Sequence, residues 1–294
     1  MEKIITIFIV LILVILCFYS PSYAKHDFLF LLESAYLIDK SEWEPSFTVQ
    51  YLDNKKIREV EYEDGQREDK LKIKNTWNWI MATEYGIFDW LNAELKIPFS
   101  KVDKKTTIDS DTTTISYLNS SGISDIEAGL KFKILDEKEN SLIPSISFCL
   151  GVSFPSGNWK KDLGSNHFGF EGGVSISRQI NKFILHTNFS GEYMPHAREE
   201  GEETKLDEVG FECGLAVVYL ATKNIDLILE TIGKFETENI NGTHNHFTEV
   251  YINPGIKYEF EKFIGGFDFG IGAPVGVSYE GYNWGVITKI KKEF

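Results

Sequence analysis

Twelve strand-like stretches recur along this chain, many alternating apolar residues with small, polar or charged ones at a period of two, and the links joining them are alternately short and long. A period of two marks β-strands with two unlike faces. In "PSISFCLGVSFPSG" (144–157), Ile146, Phe148, Leu150, Val152 and Phe154 share one face, and Ser145, Ser147, Cys149, Gly151 and Ser153 share the other. Strands are read near residues 45–52, 70–83, 90–101, 124–134, 142–154 and 167–178, then 183–193, 207–220, 224–237, 247–260, 263–273 and 282–292. Short links fall at 84–89, 136–141, 179–182, 221–224 and 261–263. Longer polar links fall at 53–69, 102–123, 155–166, 194–206, 238–246 and 274–281. Transmembrane barrels keep short turns on the periplasmic side and longer loops outside, and an even strand count leaves both termini on the short-turn side. A Greek-key sandwich has no reason to hold that parity.

The first residues favour export. "MEKIITIFIVLILVILCFYSPSYA" (1–24) opens with Lys3, runs apolar from Ile4 to Phe18 and closes on Ser22-Tyr23-Ala24, the pattern of a cleaved signal peptide. The apolar run is short for a spanning helix, which needs about 20 residues. Cys17 follows Leu16, where a lipoprotein signal would carry a small residue. The mature chain is expected to begin near Lys25.

The formal net charge of −14 argues against nucleic acid as a partner, since that would call for a basic patch. Cys149 and Cys213 are too few for a disulfide-stapled domain, and the register places them on opposite faces. Charged residues recur at mid-strand on the polar face, where a soluble core would hold them only at a large desolvation cost. Aromatic residues near the strand ends, Tyr85, Trp90, Phe99, Tyr193, Tyr219, Tyr258, Phe260 and Trp284, suit interfacial girdles.

The expected fold is therefore all-β: an antiparallel transmembrane β-barrel of about twelve strands over residues 45–294 in a bacterial outer membrane, its apolar face toward lipid. Ser147, one residue from the lipid-facing Phe148, should then point into the lumen and tolerate a larger side chain. Residues 25–44 precede the barrel. Phe28, Leu31, Leu32, Ala35 and Tyr36 could form one face of a short amphipathic helix, either as a plug or, the reading preferred here, as a periplasmic lead-in to the first strand.

Four stretches resemble the outer-membrane barrel family described as "Putative MetA-pathway of phenol degradation". "YGIFDWLNAELKIPF" (85–99) is similar to its Tyr-Gly turn and following strand. "GISDIEAGLKFKILDE" (122–137) carries its Gly-x-x-Asp pattern through Gly122 and Asp125. "PSISFCLGVSFPSGN" (144–158) resembles its strand ending in Pro-Thr-Gly, with Ser156 replacing Thr, and "KFILHTNFSGEY" (182–193) resembles a later strand through His186 and Asn188. The resemblance implies an outer-membrane channel associated, by name, with aromatic compounds.

The lumen-lining candidates are Glu127, Lys131, Glu171, His186, Glu212, Asp226, Glu230, Lys234, Glu249, Lys257 and Asp268, which could pair across strands or set the polarity of a pore. Acid outnumbers base among them, so an open pore should prefer cations or neutral solutes, with Glu212 and Glu230 as the expected carriers of that preference. The expected function is passive diffusion of small solutes, with no cofactor. Its rivals are a closed structural or surface-interaction barrel and a rim enzyme of the outer-membrane lipase type. His186 and Ser190 lie four residues apart on one strand, about 13 Å, too far for a hydrogen bond. His244 and His246 are read as loop residues rather than metal ligands, and "GIGAPVG" (270–276) has no following helix to cradle phosphate. The acidic runs 59–69 and 198–204 are read as solvated surface, with cation-bridged contact to lipopolysaccharide as the alternative. The remaining expected partners are membrane lipid, the small-molecule solute and the barrel-assembly machinery, reached through the C-terminal Phe294.

Overall fold

The computed structural model describes residues 28–63, 66–109, 114–138, 142–197, 206–240, 243–260 and 267–294. The signal-peptide reading of 1–24 lies outside them, as do the acidic run at 198–204 and the turn at 139–141. The strands are β1 (Trp43–Glu63), β2 (Gln66–Phe88), β3 (Leu91–Asp109), β4 (Thr114–Ile123), β5 (Ile126–Leu135), β6 (Ser145–Phe154) and β7 (Gly169–Ile180). They continue as β8 (Phe183–Ala197), β9 (Leu206–Leu220), β10 (Ile225–Ile240), β11 (Thr243–Glu259), β12 (Asp268–Gly272), β13 (Val275–Gly276) and β14 (Trp284–Lys291). Neighbours pair antiparallel in chain order, and β1 pairs with β14 from Ser46↔Lys291 to Asp53↔Trp284, which closes the sheet. β4 and β5 both lie along β3, and β12 and β13 both lie along β11. Each couple is one interrupted wall position, so the barrel has the twelve strands expected.

Three of the links read as long loops are strand instead. β1 and β2 pair as far as Glu63↔Gln66, β3 and β4 as far as Ile108↔Thr114, and β10 and β11 as far as Ile240↔Thr243. About 9–11 residues of tilted strand cross a membrane, yet β1 and β2 are 21 and 23 residues long, so these hairpins run on into water. There the ladder satisfies the backbone whether or not one face is apolar. Alternation stops while pairing does not.

The apolar face points outward. Phe47, Met81, Leu95, Leu130, Leu150, Val174, Phe189, Leu229, Ile252 and Ile271 are exposed and form a belt around the wall. Aromatic clusters bound it at both ends. At the short-turn end, periplasmic in barrels of this type, Trp90 stacks with Phe88 and Phe132, and Phe260 stacks with Phe267. Near the outer end Tyr51 packs on Trp77 and Trp284. Cys149 and Cys213 are unbridged.

Residues 28–38 correct the expectation of a periplasmic lead-in. They form neither helix nor strand and lie within the barrel as an internal plug, with Phe28, Leu29, Leu32, Ala35, Tyr36, Leu37 and Ile38 buried. The inner wall is apolar where they pack, through Ile184, Ala216, Val218, Ile228 and Ile232. Leu32, Phe30 and Phe28 rest on Gly214, Gly255 and Gly270, where any β-carbon would overlap them. Burying one Leu or Phe contributes about 1.5–3 kcal/mol, and here the wall supplies the apolar surface that a helix partner would otherwise provide.

Candidate functional site

An irregular segment leaves its backbone amides to be satisfied by something else. Here inward-facing side chains of the wall do it. Glu230 Oε1 on β10 accepts hydrogen bonds from the N–H groups of Phe30, Leu31 and Leu32 at 3.0–3.1 Å. Its Oε2 accepts one from Asn253 at 2.6 Å. Ser177 Oγ accepts the Ala35 N–H at 2.8 Å, and Asn188 Nδ2 donates to the Glu33 carbonyl at 2.8 Å. Lys289 Nζ donates to the Leu29 carbonyl at 2.9 Å, and the Tyr36 hydroxyl donates to Glu137 at 2.8 Å. Glu33 reaches the opposite side, with its carboxylate 3.4 Å from Lys96 Nζ and accepting from Cys149 Sγ.

Beside the plug, between it and the wall formed by β1 to β3, β5 to β10 and β14, lies a cavity of about 450 Å³. Nine glutamates and five lysines line it: Glu33, Glu44, Glu84, Glu94, Glu127, Glu171, Glu192, Glu212 and Glu236, with Lys96, Lys131, Lys234, Lys289 and Lys291. At the outer end two loops fold inward. In one, Asp162 pairs with Lys74 at 3.0 Å and Lys104 at 3.8 Å, while Ser120 donates to the Lys161 carbonyl. In the other, the Tyr282 N–H donates to the Tyr251 hydroxyl, and Gly281 bridges to Lys56 of β1.

The structure separates the lumen candidates into four groups. Glu127, Lys131, Glu171, Glu212 and Lys234 line the cavity, with Glu212 and Lys234 paired at 2.9 Å and Lys131 3.9 Å from Glu84. Glu230 and His186 are fully buried in the wall that the plug packs against, and Glu230 is occupied by the plug backbone. Asp226, Lys257 and Asp268 form a cluster at the short-turn end with contacts of 2.9 and 3.6 Å, and Glu249 pairs with Lys55 at 2.8 Å nearer the outer mouth. His186 Nδ1 meets Ser177 Oγ at 2.8 Å rather than Ser190. Of the two expected carriers of ion preference, Glu212 is ion-paired with Lys234 and Glu230 caps three plug amides.

Glu84, Glu94, Lys96, Glu192 and Glu236 were not among the candidates, although each shares the inward parity of its strand. Glu94 and Lys96 lie two residues apart on β3, and Glu236 continues the series Glu230 and Lys234 on β10.

The four stretches singled out by resemblance acquire physical roles. Gly86 lies against the Asp39 carbonyl, where the chain leaves the plug, with no room for a β-carbon, and exchanges backbone hydrogen bonds with Ser41 and Glu42. Asp125 accepts from Gly157 N–H at 2.8 Å and from Ser165 N–H at 2.7 Å, which fastens the inward-folded loop. Ser156 Oγ accepts the Ile126 N–H at 2.8 Å. His186 and Asn188 hold Ser177 and Glu33 at the plug.

The sequence matches the family model described as "Putative MetA-pathway of phenol degradation" over residues 68–286. The chain belongs to this family. No curated relative matches it. Among solved structures it is similar to the COG4313 outer membrane channel from Pseudomonas putida F1, with a TM-score of 0.62 and 12% identity, covering 94% of this chain and 100% of that one. It is also similar to the translocator domain of the autotransporter NalP from Neisseria meningitidis, with a TM-score of 0.48 and 9% identity over 87% of this chain and 90% of that one. The first of these likenesses supports the fold, a barrel of the bacterial outer-membrane type.

Proposed function

We propose that this family member is a passive outer-membrane channel for small solutes, with a path that runs beside its own N-terminal segment. The observation that carries the reading is the charged, water-compatible cavity of about 450 Å³ left between plug and wall. Twelve strands enclose a lumen wider than the one that side chains alone fill in eight-stranded barrels, and the plug takes up only part of it. Small aromatic and other organic solutes are the class that the family description brings to the proposal. Contact of the acidic outer hairpins with lipopolysaccharide, and of Phe294 with the assembly machinery, belong to the same reading. Phe294 is exposed beside Trp43, whose backbone it meets at 2.9 and 3.1 Å.

Osmotic swelling of liposomes carrying the purified chain tests the channel. Swelling in small neutral organic solutes that declines with solute size supports it, and none in any solute supports the rival closed barrel. That rival is favoured by one arrangement, the plug below and the inward-folded loops above.

A further inference from the structure

The outer end of the wall is not the same all round. On β14, β1, β2 and β3 five outward rings form one continuous cluster. Trp284 packs on Tyr51, Tyr51 on Trp77, Trp77 on Trp79 and Trp79 on Phe99, with centroids 4.8–6.0 Å apart. The stretch of β2 from Trp77 to Phe88 matches one membrane crossing of about 9–11 residues. The cluster therefore marks the outer boundary of the hydrocarbon, where aromatic rings gather.

Above that boundary the outward positions of the same strands turn basic. Lys101 on β3 lies opposite Trp77 itself. Further out, Ile73 on β2 lies between Lys56 on β1 and Lys105 on β3. About 13 Å of strand, or about 10 Å of height at barrel tilt, separates Ile73 from Trp77. The headgroup region adds about 5–8 Å on each side of the hydrocarbon. Lys101 at its floor and Lys56 and Lys105 at its top thus bracket the layer of lipid phosphates. Lys56 and Lys105 are two strand spacings apart, about 10 Å, so two long side chains can meet on one phosphate. Among the described residues Lys101 alone of the three has an ion pair, with Asp103 at 3.7 Å. The outward carboxylates at this level are engaged, Asp103 by Lys101 and the Asn119 amide, Asp53 by the Tyr51 hydroxyl and the Asn54 amide. Tyr117 on β4, beside Lys105, continues the face and is 77% exposed.

Elsewhere the rim differs. Above the rings Phe211 and Phe235, the described outward residues of β9, β10 and β11 are Val209, Asp207, Thr237 and His246, with no lysine or arginine. In a chain of net charge −14, outward lysines gathered over one aromatic cluster are a local reversal of sign. Ammonium groups suit phosphate, and rings at the boundary suit the junction of headgroup and acyl chain. A glycolipid that carries phosphates above its acyl chains meets both features at once.

We propose that the outward face of β1 to β4 is a docking site for lipopolysaccharide, with Lys56 and Lys105 taking a phosphate of its lipid A moiety above the Trp77 cluster. The site rests on the outer-membrane placement of the barrel and not on conduction, so a barrel that conducts nothing would leave it standing. It differs from cation-bridged contact through the acidic hairpins, because no divalent ion takes part. Native mass spectrometry of the full chain in detergent, titrated with diphosphoryl lipid A, tests it. Saturable binding is expected, tighter than that of phosphatidylglycerol and retained in the presence of a chelator. Lys56→Gln/Lys105→Gln should weaken it about twentyfold, at about fivefold for each lysine near a membrane surface. Lys40→Gln/Lys182→Gln, which removes as many exposed charges at the short-turn end, should leave it unchanged. If the first double variant loses its folded, heat-modifiable gel band, Lys105→Gln carries the test with an expected loss of about fivefold. No binding, equal affinity in variant and parent, equal loss in the control, or equal affinity for phosphatidylglycerol would each overturn the site. Binding lost in the chelator would overturn it in favour of cation-bridged carboxylates.

Discussion

Glu171 on β7 and Glu192 on β8 are direct cross-strand partners on the lumen face, with no ion-pair partner within 4.0 Å of either among the described residues. Directly opposed residues of an antiparallel pair have α-carbons about 4.5–5.5 Å apart, within disulfide range. Glu171→Cys/Glu192→Cys should therefore crosslink under mild oxidation, read as a mobility shift lost on reduction. Glu171→Cys/Glu236→Cys, with two strand spacings more between its members, should not. Equal crosslinking of both pairs would refute the register of the wall.

Glu230 is the clearest handle on the plug. Replacing it with Gln keeps the shape and removes the charge that three backbone N–H groups share. Hydrogen bonds to a charged group contribute about 1.5–3 kcal/mol, so amide exchange at Phe30, Leu31 and Leu32 should quicken about tenfold to a hundredfold. Exchange elsewhere in β10 should change little. Mass-spectrometric hydrogen exchange checks this, and unchanged rates at all three amides would show that packing on Gly214, Gly255 and Gly270 holds the segment without the carboxylate.

The two faces of β6 should respond oppositely to charge. Leu150 faces lipid opposite Leu130, and an Arg there costs about 2–4 kcal/mol near the bilayer midplane. Ser153 lines the cavity and should accept Arg with the barrel intact. Ser147, tolerant by strand parity alone, is 0% exposed beside Ser175, so Ser147→Arg should damage folding as well. Heat-modifiable migration reports all three. A Leu150→Arg barrel as robust as Ser153→Arg would reverse the faces assigned here.

The wall was legible because a membrane barrel has to alternate along every strand that crosses lipid, and stretches such as 144–154 do so without a break. Water imposes no such pattern, so the outer hairpins look like loops in the sequence. Their signal was the turn: Asp64-Gly65 and Asn241-Gly242 are the residue pairs that specify two-residue hairpins. The spacing of Phe28, Leu31, Leu32, Ala35 and Tyr36 suggested a helix face, yet the partners that shape this segment, Glu230 and Ser177, are far away in the chain. No local pattern encodes them. The carboxylates of the cavity were half-visible. Inward parity marks Glu84, Glu94, Glu192 and Glu236 one strand at a time, whereas their alignment depends on register between strands.

Single-channel recording of the purified full chain in a planar bilayer tests the central claim, that the cavity beside the plug conducts. The account predicts stepwise conductance and, in a potassium chloride gradient, a reversal potential displaced toward that of potassium, because the glutamates of the cavity outnumber its lysines and bias a narrow pore toward cations. Silence at every voltage the bilayer withstands would contradict it and leave a closed barrel sealed by its own N-terminal segment.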